Sequence, residues 1–265
     1  MIKTEALCLT KFMNHSDMKE WLEWHLDSVG FDHIHVINND SKFDLESLCL
    51  SFKDKVSYEE IHYHPRQYKL YDFYINNVSK SDWIMPIDDD EYLEISKEFS
   101  SVTDVISYYK EQMPDMEMLA VRWKHLFPSK FKTERTGKVL EYCTREHQTL
   151  ASTFQREGDR GVKALVHRSG KIHYQETCEI PNGGHIPLHE KAEFAYGFDG
   201  RKVTGNYFTE FPRDVSNEKI RLIHCRYKGF SDYTEKYILN GAMTVSDKNP
   251  RKKQFVFNML LPSLD

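Results

Sequence analysis

The chain has 265 residues, with 36 Lys and Arg against 41 Asp and Glu for a formal net charge of −5. That length can bury the core of one large α/β domain, and the acidic balance offers no electrostatic footprint for wrapping nucleic acid. The five cysteines, Cys8, Cys49, Cys143, Cys178 and Cys225, are odd in number and lack C-x-x-C spacing, which argues against a disulfide framework or a zinc knuckle and for a reducing compartment.

The opening residues lack the apolar run of a signal peptide, and no stretch approaches the ~20 apolar residues that cross a bilayer. The expectation is a soluble, cytoplasmic protein with no transmembrane segment. The sequons at Asn14, Asn39 and Asn77 then carry no weight.

The first third alternates strand and helix. Ala6 to Leu9 reads as a buried strand. Ser16 or Asp17 can cap a helix that carries Met18, Trp21, Leu22, His25 and Val29 on one face, with Gly30 as its stop. The spacing makes His25 a packed structural histidine. His33 to Ile37 is a second strand, ending in the polar turn Asn38-Asn39-Asp40-Ser41. A short helix follows around Leu45 to Leu48, then a third strand near Val56 to Ile61. A helix from Gln67 sets Leu70, Tyr71, Tyr74, Ile75 and Val78 at helical spacing. Strand four, Trp83 to Ile87, runs straight into Asp88-Asp89-Asp90-Glu91. Such alternation implies a Rossmann-like, mostly parallel sheet flanked by helices, with ligands outside the carboxyl ends of its strands.

The second half differs. Leu119 to Trp123, Val139 to Cys143, Ala164 to Val166 and Leu222 to Cys225 read as strands without regular helices between them, so a mixed C-terminal extension is expected. Residues 181–187, Pro-Asn-Gly-Gly-His-Ile-Pro, form an ordered or lid-like loop. A final helix covers Asp232 to Leu239, and Arg251-Lys252-Lys253 is a solvated segment.

Four consecutive acids at a strand end repel one another unless a counter-charge is present. A hard divalent ion would relieve that cost, and Mn²⁺ or Mg²⁺ takes one or two protein carboxylates plus substrate phosphates. In an extended segment residues two apart point the same way, so Asp88 and Asp90 can share one ion while Asp89 points elsewhere. The competing reading is a solvated turn whose acid caps the next helix.

The segment Trp83-Ile84-Met85-Pro86-Ile87-Asp88-Asp89-Asp90-Glu91-Tyr92-Leu93 resembles the "W-I-x-x-x-D-x-D-E-[FY]-[LI]" signature of glycosyltransferases with the A-type fold, above all the family-2-like and family-92-like groups. Asn14, then Glu20-Trp21-Leu22-Glu23-Trp24-His25, then Gly30 is similar to the family's opening "N-E…L-x-E-W-x-x-H-x-x-x-G". Val36-Ile37-Asn38-Asn39-Asp40-Ser41 resembles its "V-x-D-N-x-S". The chain departs from the family at His15, where Glu is usual, and at Asn38, where an Asp often contacts the base. Val121-Arg122-Trp123 and Val139-Leu140-Glu141-Tyr142 resemble the acceptor-side segment. His224-Cys225-Arg226-Tyr227-Lys228 with Lys236 resembles the C-terminal "H-Y-x-x-K-S…K".

The resemblance implies a single domain over residues 1–265, with a nucleotide-sugar-binding half at 1–95 and an acceptor-binding half with C-terminal elements at 96–265. It implies an inverting, metal-dependent transfer of a sugar from a nucleotide-diphosphate donor, a UDP- or GDP-sugar, onto a glycan hydroxyl. Asp88 and Asp90 would hold Mn²⁺ or Mg²⁺, Asp88 also meeting the donor. Thr10, Lys11, Asn14, Asn38 and Asn39 would line the nucleotide pocket, and Lys228 would meet the diphosphate. His185, in its Gly-Gly-His loop, would be a third metal ligand with His224 as competitor. Glu141, or else Glu146, would be the catalytic base, and Trp123 could stack on a sugar. Two other readings stand beside this one. A sugar-phosphate nucleotidyltransferase would open with a glycine-rich phosphate loop, which Leu9-Thr10-Lys11-Phe12 lacks. A non-catalytic carbohydrate-binding protein of the same fold would tolerate loss of the acidic cluster.

Overall fold

The computed structural model describes residues 2–11, 13–39, 41, 43–62, 67–128, 135, 137–145, 162–169, 172–173, 188–189, 195–203, 218–225 and 228. The chain divides into two compact units, residues 1–124 with 150–224, and residues 125–149 with 225–265.

In the first unit β1 (Thr4–Thr10) leads to α1 (His15–Glu23), which runs on into a π-helical turn, Trp24–Ser28. Then come β2 (His33–Asn39), α2 (Glu46–Ser51), a 3-10 turn at Lys53–Lys55, β3 (Val56–Ile61), α3 (Gln67–Asn77), β4 (Trp83–Pro86), β5 (Glu91–Ile95), α4 (Val102–Gln112) and β6 (Met118–His125). The second unit contributes β7 (Phe127–Pro128), α5 (Val139–Tyr142) and β8 (Cys143–Arg145). The first unit resumes with β9 (Val162–His167), β10 (Ile172–His173), β11 (Leu188–His189), β12 (Ala195–Gly197) and β13 (Ile220–His224).

The main sheet has the order β3-β2-β1-β4-β9-β6-β13-β5, with β12 added beside β6. From β3 to β4 the strands are parallel, and β9 runs antiparallel to both β4 and β6. The α/β class, the parallel first half and the mixed extension are therefore as the sequence predicts. The order also contains a reversal. From β1 the chain builds outward through β2 and β3, then returns to lay β4 on the other side of β1, which puts the switch in strand order at the carboxyl ends of β1 and β4.

The central strands β1, β2 and β4 are buried along almost their whole length, as strands covered on both faces are, while the edge strand β3 exposes Glu59 and Glu60. On one face Tyr71, Tyr74 and Ile75 of α3 join Leu7, Ile37, Ile84 and Ala164 in one core cluster. In α1 Met18, Trp21 and Leu22 are buried, as are His25 and Val29 beyond it, so the predicted apolar stripe is the packed one. Glu5, buried in β1, ties the base of α3 to the sheet. It accepts hydrogen bonds from Tyr74 Oη at 2.6 Å and Ser79 Oγ at 2.5 Å, with His33 Nδ1 at 3.4 Å. Burial alone would raise its carboxyl, but the donors His33, Ser79 and Tyr74 outweigh it and bring the pKa to about 2.

Several elements differ from expectation. The N-cap of α1 is Asn14, whose Oδ1 accepts from the Asp17 amide at 2.9 Å, not Ser16 or Asp17. Asn38 and Asn39 complete β2 instead of forming a turn, because pairing with β1 and β3 carries the ladder through them. Val78 lies just past the end of α3 and is exposed. Residues 139–143 are not one strand but a helical turn followed by the start of β8, since an apolar run that short has no period to distinguish the two. Strand β5 and helix α4 were not expected. The 181–187 loop, the 232–239 helix and the 251–253 basic run lie outside the described residues. Among those described, no helix is long and apolar enough to cross a membrane.

Gly30 closes the α1 segment at φ +74°, and a Cβ placed there would come within 3.0 Å of the Ser101 Cβ. Gly30→Ala therefore combines left-handed strain with a backbone-adjacent clash and should cost about 2 kcal/mol, read as a lowered urea midpoint at unchanged slope.

Candidate functional site

The acidic segment at the carboxyl end of β4 is a closed turn. The Glu91 amide donates to the Asp88 carbonyl at 3.0 Å, and the Asp88 amide donates to Glu91 Oε2 at 2.8 Å. Because the chain turns here, the alternation of an extended segment does not apply, and the three aspartates serve different partners. Asp88 Oδ1 accepts from Gln67 Nε2 at 2.6 Å and Tyr71 Oη at 2.9 Å, both on α3. Asp89 Oδ2 accepts from Thr10 Oγ1 at 2.8 Å, a buried bond that ties the end of β1 to the turn after β4. Asp90 Oδ1 lies 3.4 Å from His224 Nε2 on β13, whose ring in turn packs 5.0 Å from that of Trp123.

The counter-charge for this turn is within the chain. Lys163 of β9, 1% exposed, places Nζ 2.6 Å from Asp88 Oδ1 and 3.1 Å from Glu91 Oε2. Burial pulls the lysine pKa down, but the two carboxylates more than reverse this and hold it above the ordinary value. Glu91 is fully buried. That burial lifts its carboxyl well above the ordinary range, with Asp88 and Asp90 pushing the same way against the pull of Lys163. Burial first, and then the Asp88 charge, also raise the Tyr71 hydroxyl, so it stays protonated and donates. Lys163 escaped the sequence reading, although a charged residue inside the apolar run Val162 to Val166 was the available signal, because a buried ammonium requires a partner.

A second set of contacts fixes the backbone of the turn from behind. Trp21 Nε1 donates to the Glu91 carbonyl at 2.8 Å and to the Asp88 carbonyl at 3.2 Å, and Trp24 Nε1 donates to the Leu93 carbonyl at 2.7 Å. His25 Nε2 accepts from the Leu93 amide at 3.1 Å, so its Nδ1 carries the proton and donates to the Trp21 carbonyl at 2.8 Å. His25 is buried and structural as its spacing implies, and the three residues act together as a clamp on the turn and on β5. Burial brings the His25 pKa down to about 3, with the Trp21 carbonyl opposing.

The remaining expected residues are not brought to one place. Thr10 and Asn38 are cross-strand partners at the carboxyl ends of β1 and β2 and are both buried. Asn38 Nδ2 donates to Tyr58 Oη at 2.9 Å, and its Oδ1 accepts from the Ser41 amide at 3.1 Å, the local bond an Asx turn would make. Asn39 is buried next to it, with an Oδ1 that meets no hydrogen-bond donor among the described residues. Lys11 follows β1 half-buried, and Asn14 is occupied as the helix cap. Glu141 is exposed on α5 and Lys228 is buried, both in the second unit. His185 and Glu146 lie outside the described residues.

No family model matches the chain, and no curated protein is similar to it. Among solved structures, TarS 1-349 from S. aureus aligns over 72% of this chain and 59% of its own at 11% identity and a TM-score of 0.41. The same TarS fragment in complex with UDP-GlcNAc aligns over 80% and 62% at 13% identity and a TM-score of 0.39. CMP:2-keto-3-deoxy-manno-octonic acid synthetase with CTP aligns over 48% and 54% at 11% identity and a TM-score of 0.30. The chain thus spans about three fifths of the TarS fragment. The likeness is distant, and the functional reading rests on the chain's own geometry.

Two outcomes follow from the clamp. Trp21→Phe deletes both indole hydrogen bonds and should cost about 1–2 kcal/mol in urea unfolding, with faster amide exchange at Asp88 and Glu91. His25 stays neutral in the folded protein down to about pH 3, whereas the unfolded chain protonates it at its ordinary value of 6.5. Its contribution is therefore complete above pH 6.5 and lost as pH falls from there toward 3, at up to about 1.4 kcal/mol per pH unit. His35, with its pKa brought to about 4 by burial, acts in the same direction. Stability should begin to fall as pH drops below 6.5, and His25→Gln should flatten that limb.

Proposed function

We propose that the chain is a glycosyltransferase that moves a sugar from a nucleotide-diphosphate donor to an acceptor hydroxyl, with the donor in the crevice at the carboxyl ends of β1, β2 and β4. The observation that carries this reading is the acidic turn at the reversal of strand order, bridged by the Thr10–Asp89 hydrogen bond. Open α/β sheets bind their ligands at such a point. The resemblance of residues 83–93 to the D-x-D-E signature supports the same chemistry.

The residues of the turn fit a hard divalent ion in kind. They offer carboxylate oxygens, and one of them, Glu91 Oε1, is buried and meets no hydrogen-bond donor among the described residues. In number they fit only a shared site. No three metal-ligating side chains converge among the described residues, so donor phosphates would have to complete the shell of any ion held there. In this reading Asp88 and Asp90 hold Mn²⁺ or Mg²⁺, which when bound supplies charge neutralisation for the departing nucleoside diphosphate. Asn38, Asn39, Thr10 and Lys11 form the nucleotide side, with neutral groups for base and ribose and one cation. Asn38 in place of the usual Asp makes that edge uncharged. Glu141 is the proposed base for an inverting attack, and His185 and Lys228 the proposed third ligand and diphosphate contact.

Thermal unfolding against UDP, GDP, dTDP and CDP, each with Mn²⁺ and with a chelator, tests the reading. Ligand at 100 times its dissociation constant stabilises by about 2.7 kcal/mol, a midpoint shift of several degrees. One nucleotide should give that shift and should need Mn²⁺, and Asp90→Asn should abolish it with the fold intact. No shift with any nucleotide would refute the transferase. Glu141→Gln should remove turnover at unchanged donor affinity, and surviving activity would move the base elsewhere.

A further inference from the structure

Among the cations of the described residues, Lys163 stands apart in being sealed from solvent in the middle of a strand and close to two carboxylates. Its Nζ meets Asp88 Oδ1 at 2.6 Å and Glu91 Oε2 at 3.1 Å, and lies 5.7 Å from the centroid of the Tyr71 ring. The same Asp88 oxygen receives Tyr71 Oη and Gln67 Nε2 from α3. Two hydrogen-bond donors of α3 and the ion-paired ammonium of β9 therefore converge on one carboxylate oxygen, more than charge compensation alone requires. Glu91 Oε2 is shared between Lys163 and the Asp88 amide, so the ammonium is linked to both the side chain and the backbone of Asp88.

We propose that Lys163 is a positioning residue for donor binding: it fixes the Asp88 carboxylate in one orientation at the crevice, ready for the cation-bound diphosphate of a nucleotide sugar. The proposal rests on the transferase reading for its ligand but not for its geometry. An aspartate free to turn about its two side-chain bonds would sample several rotamers, and a close ion pair of this kind supplies the restraint. The rival account is that Lys163 serves only to neutralise the buried Glu91.

The two are separated by pairing Lys163→Met with Glu91→Gln. The pair removes both buried charges, fills the space of the lysine stem, and keeps an acceptor for the Asp88 amide. Lys163→Met alone should lower the melting temperature, and the double variant should regain it. If Lys163 positions Asp88, the double variant still binds UDP with Mn²⁺ at least tenfold more weakly than wild type, while the chelator-treated affinity for UDP is unchanged. Recovery of affinity together with stability would overturn the proposal in favour of the counter-ion role. Side-chain NMR couplings of Asp88 give an independent readout, with one χ1 rotamer in wild type and averaging in the double variant. An unchanged single rotamer would overturn the proposal whether or not any nucleotide binds. Absence of any nucleotide response in wild type would instead refute the transferase and leave the rotamer measurement to decide Lys163. Should the double variant fail to fold, Lys163→Leu paired with Glu91→Gln, which also removes the donor and both charges, is read the same way.

Discussion

The contact of the Lys163 ammonium with Asp88 and Glu91 is the interaction on which the arrangement of the crevice depends. Taking an ammonium and a carboxylate out of water costs several kcal/mol per ion, and that cost is offset only where geometry is good and further donors satisfy the remaining lone pairs. Here the further donors are Tyr71, Gln67 and the Asp88 amide. Removing Lys163 would leave the buried Glu91 without compensation, so the turn at the end of β4 and strand β9 are energetically coupled. Four acids can follow one another at a strand end because the neutralising charge arrives from a strand 70 residues later in the chain.

Strand order explains why that charge is available. Laying β4 beside β1, with β2 and β3 already on the other side, sets the switch in strand order, and pairing β9 antiparallel to β4 places a residue of the mixed extension under the acidic turn. The parallel half alone would supply strand ends and hydrogen-bonding groups but no internal cation. The antiparallel strand thus does more than widen the sheet, since it sets the electrostatics of the site that the parallel strands outline.

Local patterns made the first half of the chain legible. β1 to β4, α1 and α3 follow from apolar periodicity, and Gly30 from the need for positive φ after a helix. The acidic turn and Thr10 could be placed at the crevice because a parallel sheet puts its loops at one end. What escaped was non-local. Asn14 as cap, rather than Ser16 or Asp17, depended on which residue took extended backbone, and two residues either way is beyond local reading. β5 and α4 were obscured because the acidic residues ahead of them looked like a solvated turn. The partnership of Lys163 with Asp88 spans most of a domain, and only the rule that a buried charge must be paired hinted that a partner existed.

In α1 and the π-helical turn after it, Trp21, Trp24 and His25 fall on the side that faces β5, and each uses its ring nitrogen on the backbone of the turn or of the strand. Aromatic rings with one polar edge suit this task, since they fill apolar space between helix and strand while presenting a single directed donor or acceptor. A leucine in these places would pack but leave the carbonyls of Asp88, Glu91 and Leu93 without those donors. The tryptophans and the histidine hold the backbone from one side, and Lys163, Tyr71 and Gln67 hold the Asp88 side chain from the other. The acidic turn is therefore ordered at both its main chain and its side chains before any ligand arrives, so little ordering entropy is left for binding to overcome.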